Sequence, residues 1–72
     1  MANSTYENLV ANTAHILYNE YGSSAEWKNF QGNPMPMWEE LPIPTREHWI
    51  EVARKAINMF IPEYAIRALK DQ

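Results

Sequence analysis

A chain of 72 residues with a formal net charge of −3 and no cysteine is too small for more than one domain, too acidic to grip nucleic acid through its phosphates, and unable to form disulfides or thiolate zinc sites. A core of this size is marginal, and without disulfide or metal the remaining support is a partner subunit, so a homo-oligomer is expected. The 46% hydrophobic fraction excludes a disordered chain, no apolar run approaches the about 20 residues that span a bilayer, and the start MANSTYENL lacks the basic and apolar regions of a signal peptide, so a soluble cytoplasmic protein with no membrane partner is expected.

Ser4 followed three residues later by Glu7 has the spacing of a capping box. Behind it Tyr6, Leu9, Val10, Thr13, Ala14, Leu17 and Tyr21 recur with the period of a helix. The pattern predicts a helix over about 5–21, stopped by Gly22 in the left-handed conformation. Ile16 and Tyr18 flank the stripe. His15 lies on the polar side, where an exposed or hydrogen-bonded histidine is expected rather than a ligand.

Residues 22–44 lose this period for much longer than the roughly 6 residues of an ordinary connection. Four of the five prolines fall between Gly32 and Pro44. Each ring fixes its own φ and pushes the residue before it towards an extended conformation, so Asn33, Met35, Leu41 and Ile43 are expected to be extended. The stretch also holds Trp27, Phe30, Met35, Met37, Trp38 and Leu41, residues that bury, and an ordered Pro-rich loop follows. Trp38 and Phe30, more than Trp27, are expected to complete the core. One helical turn fits between Met37 and Leu41, before Pro42 stops it.

Thr45 can cap a second helix over about 45–60, with Glu47 near its positive end. Trp49, Val52, Ala53, Ala56, Ile57 and Phe60 form its apolar stripe, and Glu47, Glu51, Arg54, Lys55 and Asn58 its solvated side. Pro62 suits the first turn of a short third helix over about 62–70, whose apolar side is Ala65, Ile66 and Leu69. The expected fold is all-α, a single domain of two main antiparallel helices and a short C-terminal helix, joined by the long ordered Pro-rich loop. Leftover apolar residues such as Ile16, Tyr18, Ile50, Met59, Ile66 and Leu69 are candidates for the oligomer contact.

The signatures of catalysis are missing from the sequence: it has no G-x-S-x-G elbow, no HExxH and no Gly-rich phosphate loop. Glu39 and Glu40 are adjacent carboxylates, but neighbours on a helical turn point about 100° apart and need not share a site. His48 beside Glu47 and Glu51 reads as a salt-bridged surface histidine rather than part of a metal site. No catalytic residue, cofactor or metal is expected. A binding role fits better. Lys28, Asn29 and Gln31 alternate with Trp27 and Phe30, and Arg46 and Arg54 follow on the second helix. Aromatic faces, amides and cations are the parts of a pocket for a small planar ligand, and equally of a protein interface.

The run Y-x-x-Y-G (Tyr18, Tyr21, Gly22), then K-N-F-x-G-x-P-M-P-x-W-x-x-L-P from Lys28 to Pro42, then R-x-x-W-x-x-x-A (Arg46, Trp49, Ala53) resembles a group of small, uncharacterised bacteriophage proteins over about residues 9–57. A looser pattern, A-H-x-x-Y on the first helix followed by W-x-x-L-P and a second helix, is similar to the helical RyR-type domains of phage and defence proteins. Those domains end in a W-x-Y-G that this chain lacks. The resemblance implies a non-enzymatic phage accessory protein in the host cytoplasm, binding a nucleotide-like ligand and sequestering a host immune signal. The alternatives are an interaction module that inhibits a host protein, or a minor structural or assembly component. For a nucleotide-like ligand, Phe30 or Trp27 would stack on the base, Asn29 and Gln31 would read its edge, and Lys28 and Arg46 would meet phosphate at the start of the second helix. Tyr18 and Tyr21 would close the other wall, and one subunit's Arg54 would lie over its neighbour's loop. Trp38 and Trp49 are assigned to the core.

Overall fold

A computed structural model of the chain describes residues 4–71. Among them three helices and one 3-10 turn follow one another: α1 (Thr5–Ser24), the turn at Trp38–Glu40, α2 (Ile43–Phe60) and α3 (Glu63–Lys70). The only β pairing among the described residues is an isolated bridge between Lys28 and Pro34, so the all-α class expected from the periodicities holds.

The amide of Glu7 donates to Ser4 Oγ at 3.1 Å, so Ser4 caps α1 as its spacing predicts. The buried row of α1 is Tyr6, Val10, Ala14, Tyr18 and Gly22, at steps of four, with Leu9 and Leu17 half-buried beside it. That row turns Tyr18 inward and leaves Tyr21, expected in the stripe, 52% exposed. The helix also runs three residues past its expected end. Gly22 therefore does not terminate α1: it lies buried within it. The left-handed residues come later and are Glu26 (φ 55°) and Trp27 (φ 56°), a conformation that costs a non-glycine residue about 1–2 kcal/mol. They fold the chain back so that the Trp27 amide donates to the Gly22 carbonyl at 2.7 Å and the indole covers Gly22. A Cβ on Gly22 would stand 2.5 Å from that ring. Glycine is needed here for close approach, not for its backbone freedom.

Leu41 is extended (φ −65°, ψ 140°), as Pro42 requires, and buried. Ile43, expected to be extended, is instead the first residue of α2. Pro42 occupies the capping position and Pro44 lies in the first turn, where a missing N–H is no loss and a fixed φ is already helical. Thr45 is consequently not the cap, and Glu47 falls outside the first turn, which holds no acidic residue.

Tyr6, near the start of α1, donates from its hydroxyl to Asn58 Oδ1 near the end of α2 at 3.0 Å, while Tyr18 and Tyr21 pack on Trp49 near its start, at ring separations of 5.5 and 5.6 Å. Between these ends the core is Tyr6, Val10 and Ala14 against Ala53 and Ile57, with Ile66 of α3 closing one side. Ala14 and Ala53 are wholly buried, so the helices meet across small residues and cover a narrow seam. Val52 and Phe60, read as part of the α2 stripe, fall outside it at 43% and 78% exposed. The molecule is a thin slab, 43 × 28 × 16 Å.

Candidate functional site

Tyr18 organises the loop end of the slab. Its ring meets Trp27 (6.1 Å, edge-on), Trp38 (5.9 Å, tilted) and Trp49 (5.5 Å, edge-on), so the three tryptophans, spaced evenly in sequence, converge on one side chain. Edge-on and tilted pairs at these distances contribute about 0.5–1.5 kcal/mol each beyond their buried area. The Tyr18 hydroxyl donates to the Pro36 carbonyl at 2.6 Å, pinning the proline-rich segment to α1. Burial pushes the pKa of this hydroxyl up, with smaller contributions from Tyr21 and Glu40.

Trp38 is held from several sides. His15 stacks on it at 5.3 Å with rings 14° from parallel, and the Arg46 guanidinium lies 5.7 Å from its ring centre. Arg46 Nη2 also donates to the carbonyls of Glu39 (3.0 Å) and Leu41 (3.4 Å), so the planar fork closes the 3-10 turn onto α2. Its Nε is buried without a partner. The Glu40 carboxylate accepts from the Met37 amide at 2.8 Å and caps the turn. Glu40 thus acts through its carboxylate and Glu39 through its backbone carbonyl.

The segment between Trp27 and Met35 is a small closed loop. Asn29 and Asn33 are joined backbone to backbone at 2.8 Å, Gly32 donates to the Asn29 carbonyl at 2.9 Å, and Met35 donates to the Trp27 carbonyl at 2.8 Å. The Asn29 side-chain oxygen accepts from the amides of Gln31 (2.9 Å) and Asn33 (3.0 Å), while Gly32 takes φ 81°. Phe30 stands at the tip, 96% exposed.

These contacts separate the residues expected to bind a ligand. Tyr18, Trp27, Asn29 and Arg46 are engaged in holding the loop, and Arg54 lies elsewhere. Its guanidinium meets Glu7 at 3.0 and 3.2 Å and Glu51 at 3.3 Å, and covers the Tyr6 ring at 5.9 Å. The Glu7 carboxyl is accordingly held below its usual value, first by the hydrogen bond from Arg54, and the Arg54 pKa is raised by the same contact. Lys28, Phe30, Gln31 and Tyr21 keep exposed side chains. The expectation that Phe30 completes the core is overturned by its 96% exposure, whereas Trp27 is half-buried, its indole packed against Gly22 and the Tyr18 ring. A cleft of about 150 Å³ is lined by Glu63, Ile66, Arg67 and Lys70, on α3 and not at the loop. Among the described residues no three His, Asp or Glu side chains gather to hold a metal ion, and no helix is long and apolar enough to cross a membrane.

Sequence reasoning missed the roles of His15 and Gly22. Their signals were weak ones: a histidine beside the aromatic flank of α1, and a glycine four residues after a tyrosine and five before a tryptophan. Asn29 carried a clearer one, since asparagine followed two to four residues later by Gln31, Gly32 and Asn33 is turn chemistry. Comparison with family models, curated proteins and solved structures returns no match for this chain.

Proposed function

We propose that the chain is a non-enzymatic interaction module that binds a host protein through the Lys28–Gly32 loop, with Phe30 as the anchor. The observation that carries this reading is a phenylalanine 96% exposed at the tip of a loop closed by two Asn29 side-chain contacts and three backbone hydrogen bonds. An apolar ring left in water contributes nothing to folding and gains on burial about 1.5–3 kcal/mol. A loop already closed has little entropy left to lose on docking. Lys28 and Gln31 beside the ring supply the polar rim of such a contact. The contacts between α1 and α2 support an antiparallel pairing, which gives the loop a firm base. The phage-like motif supports a role as a phage accessory protein acting in the host cytoplasm.

The test is a photo-crosslinking residue at position 30, in cells of the host, beside a control at exposed Asn12. One specific protein should be trapped from position 30 alone, and Phe30→Ala should abolish its co-purification with unchanged helix content. Equal trapping at both positions, or capture that survives Phe30→Ala, sinks the proposal.

A second reading, a nucleotide-like ligand, is favoured by the exposure of Lys28, Phe30 and Gln31 on one loop, which leaves a stacking face and a cation available together. It needs a second wall, because Tyr18, Asn29, Arg46 and Arg54 are engaged elsewhere. Calorimetric heat from a cyclic dinucleotide, lost in Lys28→Ala, would select this reading over the protein partner.

A further inference from the structure

The far end of the slab carries a second exposed apolar surface. Met59 and Phe60 close α2 and Tyr64 opens α3, and each is at least three-quarters exposed (75%, 78% and 78%) within six residues of chain. The two rings alone present about 300 Å² to water, and with Met59 the exposed apolar area reaches the size of the largest patch on a typical, larger monomer. Phe60 belongs by periodicity to the buried face of α2, four and seven residues after Ala56 and Ala53, yet it is left 78% exposed among the described residues.

The dimensions say how much cover is missing. A chain of 8.4 kDa folded to ordinary compactness exposes about 4,600 Å², and this one exposes 5504 Å². Its radius of gyration is 14.1 Å where about 11 Å is usual for this length. The excess, about 900 Å², is close to the about 800 Å² that each partner buries in a standard interface. A slab 16 Å thick is a single layer of helices, and a second layer is what a stable core of this kind lacks.

We infer that the Met59–Phe60–Tyr64 corner is the contact between two copies of this chain, related by a two-fold axis. The charges beside it suit self-pairing. Glu63 is paired with Arg67 on its own helix at 3.1 Å, so these two charges beside the corner cancel and raise no like-charge wall against a second copy. The corner lies at the Tyr6 end of α1 and the Phe30 loop follows its other end, about 30 Å away along a 20-residue helix. A dimer built on the corner therefore displays two Phe30 loops outward, and a divalent partner is held far more tightly than by one loop.

Sedimentation of the full chain from micromolar to millimolar concentration tests the inference. A species of twice the chain mass is expected, with its dissociation constant raised at least ten-fold by Phe60→Asp and by Met59→Lys at unchanged helical circular dichroism. Phe30→Ala should leave the dimer intact, which separates failure here from failure of the loop reading. A wild-type monomer at millimolar concentration, an assembly of other than two chains, or a dimer indifferent to both corner variants overturns it. Should Phe60→Asp lose helix, Met59→Lys decides alone.

Discussion

The hydroxyl of Tyr18 donates a 2.6 Å hydrogen bond to the carbonyl of Pro36, so that the buried row of α1 reaches out and holds the proline-rich segment by its backbone. Tyr18→Phe keeps the ring and its three indole contacts but strands that carbonyl. A loss of about 1–2 kcal/mol is expected in chemical denaturation, with faster amide exchange over residues 35–41. The same contact has an alkaline limit. Because the folded pKa is raised above the ordinary tyrosine value of about 10, stability is complete below that value and declines as pH rises through and beyond it. Tyr18→Phe should flatten this decline; a profile identical to wild type would remove Tyr18 from the explanation.

Gly22→Ala should destabilise the protein although alanine is the better helix former. The added methyl would meet the Trp27 ring at 2.5 Å, and such overpacking costs about 1–3 kcal/mol against less than about 1 gained in helix propensity. Trp27 emission should shift to the red as the indole is displaced. Glu26→Gly, by contrast, should stabilise by about 1 kcal/mol, since Glu26 holds a left-handed φ of 55°. A gain from Gly22→Ala would show that the Trp27 contact has no energetic weight.

Acid should weaken the seam between α1 and α2 at Glu7. Its pKa is held below the ordinary 4.5, chiefly by the Arg54 hydrogen bond, so the contribution is present above that value and is lost as pH falls through the lowered one. Both side chains are partly solvated, at 46% and 30% exposed, which limits the effect to about 1 kcal/mol or less and makes it smaller in high salt. Glu7→Gln should abolish this part of the acid profile, as followed by thermal melts from pH 6 to pH 3.

Arg46→Lys is not a conservative change here. An ammonium cannot serve the Glu39 and Leu41 carbonyls while lying over Trp38, so about 1 kcal/mol and protection of the Trp38–Leu41 backbone from proteolysis should be lost. Lys28→Ala, on an exposed loop position, should leave both unchanged. Equal effects of the two substitutions would mean that Arg46 does not clamp the turn.

The parts of this fold legible in the sequence are those set by local chemistry. The cap at Ser4, the turn before Pro42 and the short helix after Pro62 each follow from one or two residues acting on their immediate neighbours. The boundaries that moved, at Gly22 and at Ile43, moved because a distant or paired effect prevailed: an indole five residues on claims the glycine, and two prolines together start α2 ahead of the threonine. The loop was the hardest to read. Phe30 and Trp27 are equally apolar in composition, and only the Gly22 surface, a three-dimensional fact, decides which of them packs back on the helix and which stays in water. Arg46 and Asn29 have the chemistry of ligand-binding residues, but the same donors and acceptors answer the needs of nearby backbone first.

Because Trp27, Trp38 and Trp49 all lie within about 6 Å of Tyr18, every indole chromophore of the protein reports on one neighbourhood. Tryptophan fluorescence will therefore follow the docking of the loop and be blind to the opposite end, where Tyr6, Ile57 and Ile66 meet. A melt recorded by fluorescence and one recorded by far-ultraviolet dichroism have no reason to coincide if the loop lets go first. In this molecule a gap between the two curves would measure the separate stability of the loop end, and it should not be mistaken for a folding intermediate of the whole chain.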